Sequence, residues 1–272
     1  MPPRFQSTGI SAAKISTVEG GTPMQTKELS VKELELCDRL RQMRLSGMAD
    51  AFEAQILDPN GDLKSFEDRI SCIVNHEWEL RYNKKLSRFM KKATLRYPSA
   101  DFDETLYEPD RLIDTGAVEE LATCHWIEEG RNLLITGATG AGKSYLANAL
   151  CISALRRFHT CRYIRANTLM NEMDQAKLQD SYMTYLNALT RLDLLVIDDF
   201  GLMDLDLNRC RDLFEVIDSR DSLQSTMVVS QLPVSSWYEL FADSTYADAC
   251  LDRMIHKAYR LELNGKNMRN PK

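Results

Sequence analysis

Residues 137 to 144 read GATGAGKS, set between the apolar run NLLIT (132 to 136) and a stretch, Tyr145 to Phe158, of helical periodicity. This G-x-x-x-x-G-K-[ST] pattern narrows the choice of fold sharply, because a strand has to enter the loop and a helix has to leave it. Gly137, Gly140 and Gly142 let the backbone turn tightly, so that its N–H groups and the following helix N-terminus face an anion. Ala138, Thr139 and Ala141 complete the loop, and Tyr145 follows it. Lys143 is placed to reach the β and γ phosphates of a nucleoside triphosphate, and the Ser144 hydroxyl to ligate Mg²⁺. A chain of this length would show the pattern by accident about one time in a hundred, and the flanking strand and helix lower that further.

From Asn132 onward, short apolar runs alternate with amphipathic stretches, the pattern of a parallel sheet with crossover helices. The runs predict five strands, at Asn132 to Thr136, Cys161 to Arg165, Asp193 to Ile197, Thr226 to Ser230 and Tyr259 to Leu263. Helices are expected to start near Gly142, Thr168, Leu207 and Ser235, the last two capped by Asp206 and Ser235. No internal repeat is present. The fold class is therefore α/β, a P-loop NTPase with a five-stranded parallel sheet over 132–272.

Ahead of the sheet the chain has a different texture. Residues 1–26 are rich in Ser, Thr, Gly and Pro and read as a disordered lead-in without the apolar run of a secretory signal. Residues 27–100 read as a smaller all-α domain, with apolar positions three and four apart, a turn at Pro59, Asn60 and Gly61, and a stop at Tyr97, Pro98 and Ser99. The acidic, turn-rich stretch 101–131 reads as a linker packing on the core. No stretch has the 18 or so apolar residues that a membrane span needs, so no membrane partner is expected. The seven cysteines, Cys37, Cys72, Cys124, Cys151, Cys161, Cys210 and Cys250, are scattered, with no C-x-x-C pair and no His at zinc spacing. They point to a reducing, cytoplasmic setting.

Two further segments bring polar groups to strand ends. LDLLVIDDF, 192 to 200, is an apolar strand ending in two carboxylates. Asp198 suits the Mg²⁺ shell, and Asp199 suits polarisation of the attacking water. Ser230 and Gln231 end the next strand, where a polar side chain can touch the γ phosphate or that water. Arg253 lies on an amphipathic helix, with Asp248 and Asp252 near enough in sequence for a surface ion pair. The N-K-x-D element that reads guanine is absent after the loop, which favours ATP over GTP. Trp126 and Ile127, just before the first strand, are the sequence's suggestion for the adenine pocket.

Net charge is -6, yet residues 81 to 96, RYNKKLSRFMKKATLR, contain no acid. On a helix, Arg81, Lys84, Lys85, Arg88, Lys91, Lys92 and Arg96 fall in a stripe about 140° wide, with Tyr82, Leu86, Phe89, Met90 and Ala93 beside it. One face is expected to pack and the other to meet DNA phosphates, the alternative being a basic face in contact with water alone.

These segments together resemble the IstB-type helper ATPases of bacterial insertion sequences, relatives of the helicase loader DnaC and the initiator DnaA within the AAA+ class. The likeness runs from Lys27 to the C-terminus and is carried by MRLSGMADAFEAQ, ELATCHWIEEGRNLLITGATGAGKS, LDLLVIDDFGL and ADACLDRMIHKAYRLELNGKNMR. AAA+ proteins in general have Glu where this chain has Asp199. The Asp-Asp ending belongs to the IstB pattern, and the shorter side chain implies slow hydrolysis. The resemblance implies an ATP-dependent homo-oligomer on double-stranded DNA that selects or remodels target DNA and recruits a transposase. It also implies that Gln231 is the first sensor and that Arg253 is an arginine finger offered to a neighbouring subunit. A DnaC-like helicase loader is the competing expectation, and a metabolic kinase would need a substrate pocket to which no residues commit.

Overall fold

The computed structural model describes residues 28–60, 63–102 and 114–263. The lead-in expected over 1–26 lies outside the described residues, as does part of the expected linker, 103–113. The chain divides into two compact units at Arg81/Tyr82.

The first unit holds α1 (Val31–Gln42), α2 (Ser46–Leu57) and the N-terminal part of a long helix, α3 (Phe66–Ala93). Ser30 starts α1 with a capping box: its hydroxyl accepts from the Glu33 amide while the Glu33 carboxylate accepts from the Ser30 amide at 2.7 Å. Gly47 lets α3 approach α2 closely, since a Cβ there would stand 3.0 Å from the Glu77 Cα. The buried Glu77 carboxylate accepts from the Met48 amide at 3.1 Å, at the positive end of α2, and from Arg81 Nε at 2.6 Å. Burial alone would raise its pKa, but the bonds from Arg81, Met48 and Gly47 hold it below the usual value.

The second unit is built on β1 (Leu133–Gly137), β2 (Cys161–Arg165), β3 (Leu194–Phe200), β4 (Ser225–Ser230) and β5 (Tyr259–Leu263). They form one parallel sheet in the order β2-β3-β4-β1-β5. All five strands coincide with the sequence-predicted runs, with ends shifted by up to three residues. Parallel sheets bury both faces, and here the alternation of side chains divides the core in two. Leu133, Ile135, Leu194 and Val196 face one cluster; Leu134, Leu195 and Ile197 face the other. The first cluster is completed by α4 (Thr115–Ala122), α5 (His125–Glu128) and α6 (Lys143–Arg156), together with Leu86, Phe89 and Met90 of α3. The second is covered by α7 (Ala166–Leu178), α8 (Tyr182–Thr190), α9 (Leu207–Asp218) and α10 (Ser244–Ile255). Residues 82–93 are thus part of the sheet unit rather than of the small helical one.

Asp206 caps α9 as expected, accepting from the Arg209 amide at 2.9 Å. The helix expected at Ser235 does not form there. Residues Val234–Ser236 and Tyr238–Leu240 make short 3-10 turns because Trp237 is drawn into the core, its ring 4.8 Å from that of Phe200 and its indole N–H on the Leu232 carbonyl. The α-helix starts at Ser244, capped by Asp243.

Beyond α9, Arg220 is buried whole. Its guanidinium donates to the Leu189, Leu192 and Ser225 carbonyls and to the Thr226 hydroxyl, tying the end of α8 to the start of β4. Burial lowers its pKa to about 10, so it stays charged at neutral pH. Arg220→Met keeps most of the volume but strands these acceptors. It is expected to lower stability by about 3 kcal/mol or more in urea unfolding, and an unchanged midpoint would show that water replaces the guanidinium freely.

Candidate functional site

Because β4 runs between β1 and β3, the C-terminal ends of these three strands stand side by side. The three polar segments read from the sequence are brought together there. Thr139, Gly140, Gly142, Lys143, Ser144 and Tyr145 line a cavity of about 420 Å³ with Asp198, Asp199, Ser230 and Gln231.

The loop after β1 depends on glycine where it leaves the sheet. Gly137, Gly140 and Gly142 all have positive φ, at 142°, 84° and 86°. At Gly137 a Cβ would stand 2.2 Å from the Leu263 carbonyl oxygen of β5, which no side chain tolerates. Ala138 and Ala141 complete the turn, and α6 begins at Lys143 with the Leu146 amide on the Gly142 carbonyl. Lys143 Nζ donates to the Gly137 and Ala138 carbonyls at 2.7 and 2.8 Å, so its charge lies over the loop. One turn on, the buried Asn148 donates to the Ser144 carbonyl at 2.6 Å.

At the end of β3 the sheet is bulged. Ile197 pairs with Val228 but Phe200 with Ser230, so three steps along β3 meet two along β4. Asp199 takes up the difference with φ of 57°, a left-handed conformation that Asp adopts more readily than most residues. Successive residues of a regular strand point to opposite faces, and the bulge brings both Asp198 and Asp199 to one cavity. Asp198 is buried; its Oδ1 accepts from the Asp199 amide at 2.8 Å and its Oδ2 from the Tyr163 hydroxyl of β2. Burial, and then the Asp198 charge, push the Tyr163 phenol well above its ordinary pKa. Asp199, more exposed, faces Arg165 Nε at 3.5 Å.

On β4, the Ser230 hydroxyl donates to the Phe200 carbonyl at 2.6 Å and accepts from the Leu232 amide, so it secures the bulge. Gln231 is the freer polar group at this strand end; its Oε1 accepts from the Thr139 hydroxyl. Arg253 is elsewhere. Its backbone carbonyl accepts from Asn132, just before β1, which puts it at the edge where the strands begin, opposite the cavity. Its guanidinium pairs with Asp218 of α9 at 2.7 Å rather than with Asp248 or Asp252, and lies over the Phe214 ring. Trp126 and Ile127 are core residues, the indole N–H bonded to the Leu121 carbonyl, and form no adenine pocket. Tyr97 and Leu202, which sequence reading missed, line the cavity instead. The signal for Tyr163 was its place in the buried strand CRYIR, where a phenol needs a partner.

The basic stripe is shorter than its periodicity implies. α3 ends at Ala93, and Thr94 turns left-handed with φ of 53°, so Arg96 leaves the helix. Arg81 is held by Glu77 and donates to the Arg44 carbonyl at 3.0 Å. Lys85 Nζ sits 3.8 Å from the Phe158 ring centre. Lys84, Arg88, Lys91 and Lys92 are exposed and make no ion pair among the described residues. The opposite face packs as expected: the Tyr82 hydroxyl donates to the Arg156 carbonyl at 2.9 Å, and the Tyr82 and Phe89 rings meet Phe158.

A parallel sheet in this order, carrying a phosphate-binding loop and an acidic strand end around one cavity, defines an ATP-binding P-loop protein of the AAA+ class. Solved structures agree on the fold. The DnaC helicase loader superposes with a TM-score of 0.53 at 18% identity, covering 62% of this chain and 99% of that one. The replication initiator DnaA bound to AMPPCP and single-stranded DNA gives 0.51 at 17% identity, covering 64% and 52%. The chain belongs to the family of IstB-like ATP binding proteins, whose profile matches residues 38–272. The insertion sequence ATP-binding protein y4uH of Sinorhizobium fredii is 38% identical over 230 residues, 85% of this chain and 92% of that one. The ATP-binding protein of insertion sequence IS1162 from Pseudomonas fluorescens is 37% identical over 198 residues, 73% of this chain and 86% of that one.

Gly137→Ala is expected to force β5 away from the loop and to lower stability by about 2 kcal/mol or more. Thermal and urea unfolding measure this directly, and wild-type stability would mean that Leu263 can yield without cost.

Proposed function

We propose that this protein is a Mg²⁺-dependent ATPase that assembles as a homo-oligomer on double-stranded DNA and selects or remodels target DNA for a transposase. The observation that carries the reading is the convergence of the glycine loop, the bulged Asp198–Asp199 pair and Gln231 on one cavity. The donor set fits Mg²⁺: the Ser144 hydroxyl and Asp198 carboxylate are hard oxygen ligands, and this ion is usually held by one or two such groups plus nucleotide phosphates. When bound, it would offset phosphate charge during transfer to water.

Each residue then has a role. The amides of 137–145 and Lys143 hold the triphosphate, Tyr97 and Tyr145, with rings 5.8 Å apart, offer the base an aromatic wall, and Asp199 accepts the proton of the attacking water. Gln231, linked to the loop through Thr139, senses the γ phosphate. Arg253 stands across the sheet from its own cavity, a position from which only a neighbouring subunit's nucleotide could use it. The helical stretch 27–100, which takes in the first unit and the start of the second, carries the DNA-binding and oligomerisation role. Relatives that match most of their length are named as insertion sequence ATP-binding proteins, which favours transposition over helicase loading; the loader reading rests on likeness of fold alone. Among the described residues no helix is long and apolar enough to cross a membrane.

Hydrolysis tests the enzymatic part. Asp199→Asn is expected to keep ATP binding and slow phosphate release by roughly 10²-fold or more. A guanidinium supplied in trans contributes roughly 10³ to 10⁵ in rate, so Arg253→Ala should nearly silence turnover. Mixing Arg253→Ala with Lys143→Ala chains should restore part of it at their shared interfaces, and no rescue despite co-assembly would refute the finger.

A salt titration on random-sequence duplex tests the DNA part. With Lys84, Arg88, Lys91 and Lys92 all on phosphates, log K should fall against log salt with a slope near -3.6 per subunit. Replacing Lys84, Lys91 and Lys92 with Ala should make it shallower by about 2.7. An unchanged slope would mean that the helix only faces water and that DNA binds elsewhere.

A further inference from the structure

We propose that Tyr163 positions the Asp198 carboxylate for the metal ion, and that Arg96 holds Tyr163 in place, so that the segment leaving α3 is tied to the nucleotide cavity through one phenol. A carboxylate at 1% exposure needs donors, and among the described residues Asp198 has two: the neighbouring Asp199 amide, which turns with the bulge, and the Tyr163 hydroxyl, which reaches it from another strand. The hydroxyl therefore fixes the rotamer independently of the backbone that Asp198 shares with Asp199.

Tyr163 stands where the end of α3 meets the strands β2 and β3. Asn148, one turn beyond Ser144 on α6, accepts from the Tyr97 amide at 3.2 Å and so holds the segment after α3 against the phosphate-loop helix. Arg96, among the residues after α3, lines a small cavity together with Tyr163, and its guanidinium lies 5.4 Å from the Tyr97 ring centre. Thr94, at the left-handed end of α3, donates to the Tyr163 carbonyl at 2.8 Å. Thr94 and Arg96, which leave the end of the basic helix, thus both lie against Tyr163, and the Tyr163 hydroxyl meets the Asp198 carboxylate.

The inference rests on Asp198 being the Mg²⁺ carboxylate, and the experiment separates the two ideas. Binding of a fluorescent N-methylanthraniloyl ATP is followed in EDTA and across a Mg²⁺ titration, with melting temperature as a check on folding. Partners that orient a metal ligand typically change metal affinity 10- to 100-fold, and Tyr163→Phe should raise the Mg²⁺ needed for half-maximal binding by about that factor while leaving affinity in EDTA unchanged. Arg96→Gln should move it the same way by less, and the double variant should be no worse than Tyr163→Phe alone. A wild-type Mg²⁺ requirement in Tyr163→Phe, or an equal loss with and without Mg²⁺, overturns the positioning role. Additive effects of the two substitutions overturn the part given to Arg96. If Tyr163→Phe fails to fold, Arg96→Gln carries the test, and a wild-type requirement there overturns the proposal. Asp198→Asn in parallel assigns the failure: if it moves the Mg²⁺ requirement and Tyr163→Phe does not, only Tyr163 falls, whereas if neither does, the metal reading falls too.

Discussion

The site rests on a contact that leaves no room for a side chain. At Gly137 the last strand of the sheet presses its Leu263 carbonyl against the first residue of the phosphate loop. Because β5 lies at the sheet edge beside β1, this contact sets the direction in which the chain leaves the sheet. The turn at Gly140 and Gly142 and the start of α6 at Lys143 follow from that exit. A loop whose backbone amides must converge on an anion cannot drift by even an ångström, and pinning it from the neighbouring strand removes the drift without adding charge.

A second backbone distortion serves the carboxylates. Without the bulge, Asp198 and Asp199 would point to opposite faces of the sheet, one into the core and one towards the cavity. The left-handed Asp199 turns them to a common side, and Ser230 holds the distortion by spending its hydroxyl on the Phe200 carbonyl. This gives the Asp at 199 a reason that side-chain length does not supply. Asp is enriched in the left-handed region where Glu is not, so Asp at this position relaxes the bulge that turns both carboxylates to the cavity.

The sheet was legible because its strands are short apolar runs bounded by breaks, and the phosphate loop because its spacing is set by phosphate geometry. Strand ends could be read as sites for the same reason: polar residues interrupt a buried run only where the run stops. Tertiary packing is what defeated the reading elsewhere. Trp126, a sequence candidate for the adenine pocket, is buried in the core, and Trp237 draws the chain after β4 into 3-10 turns where periodicity suggests a helix. The basic stripe was drawn at constant helical pitch through Arg96, whereas the left-handed Thr94 ends the helix before it. Arg81 lost its place because Glu77, a buried carboxylate, claimed it. For Trp237 the deciding partner lies far away in sequence, for Arg96 a backbone angle decides, and for Arg81 the partner is one helical turn away but acts only because packing against α2 buries it.

The distribution of charge across the sheet bears on why such a chain would act in company. Among the described residues, the cavity gathers one lysine and two carboxylates at the strand ends, and its lining includes no arginine. Arg165 is near but faces Asp199, and Arg253 stands at the opposite edge with Asp218. A triphosphate carries more negative charge than Lys143 and loop amides balance, and transfer of its terminal group concentrates that charge further. A cation from outside the chain is the natural complement. The Arg253–Asp218 pair is partly exposed, so the guanidinium can exchange one carboxylate for a phosphate at little loss. Under the proposed function, keeping this cation away from its own nucleotide would make hydrolysis conditional on a neighbouring subunit, and the exposed lysines along α3 would give DNA a means of lining such subunits up.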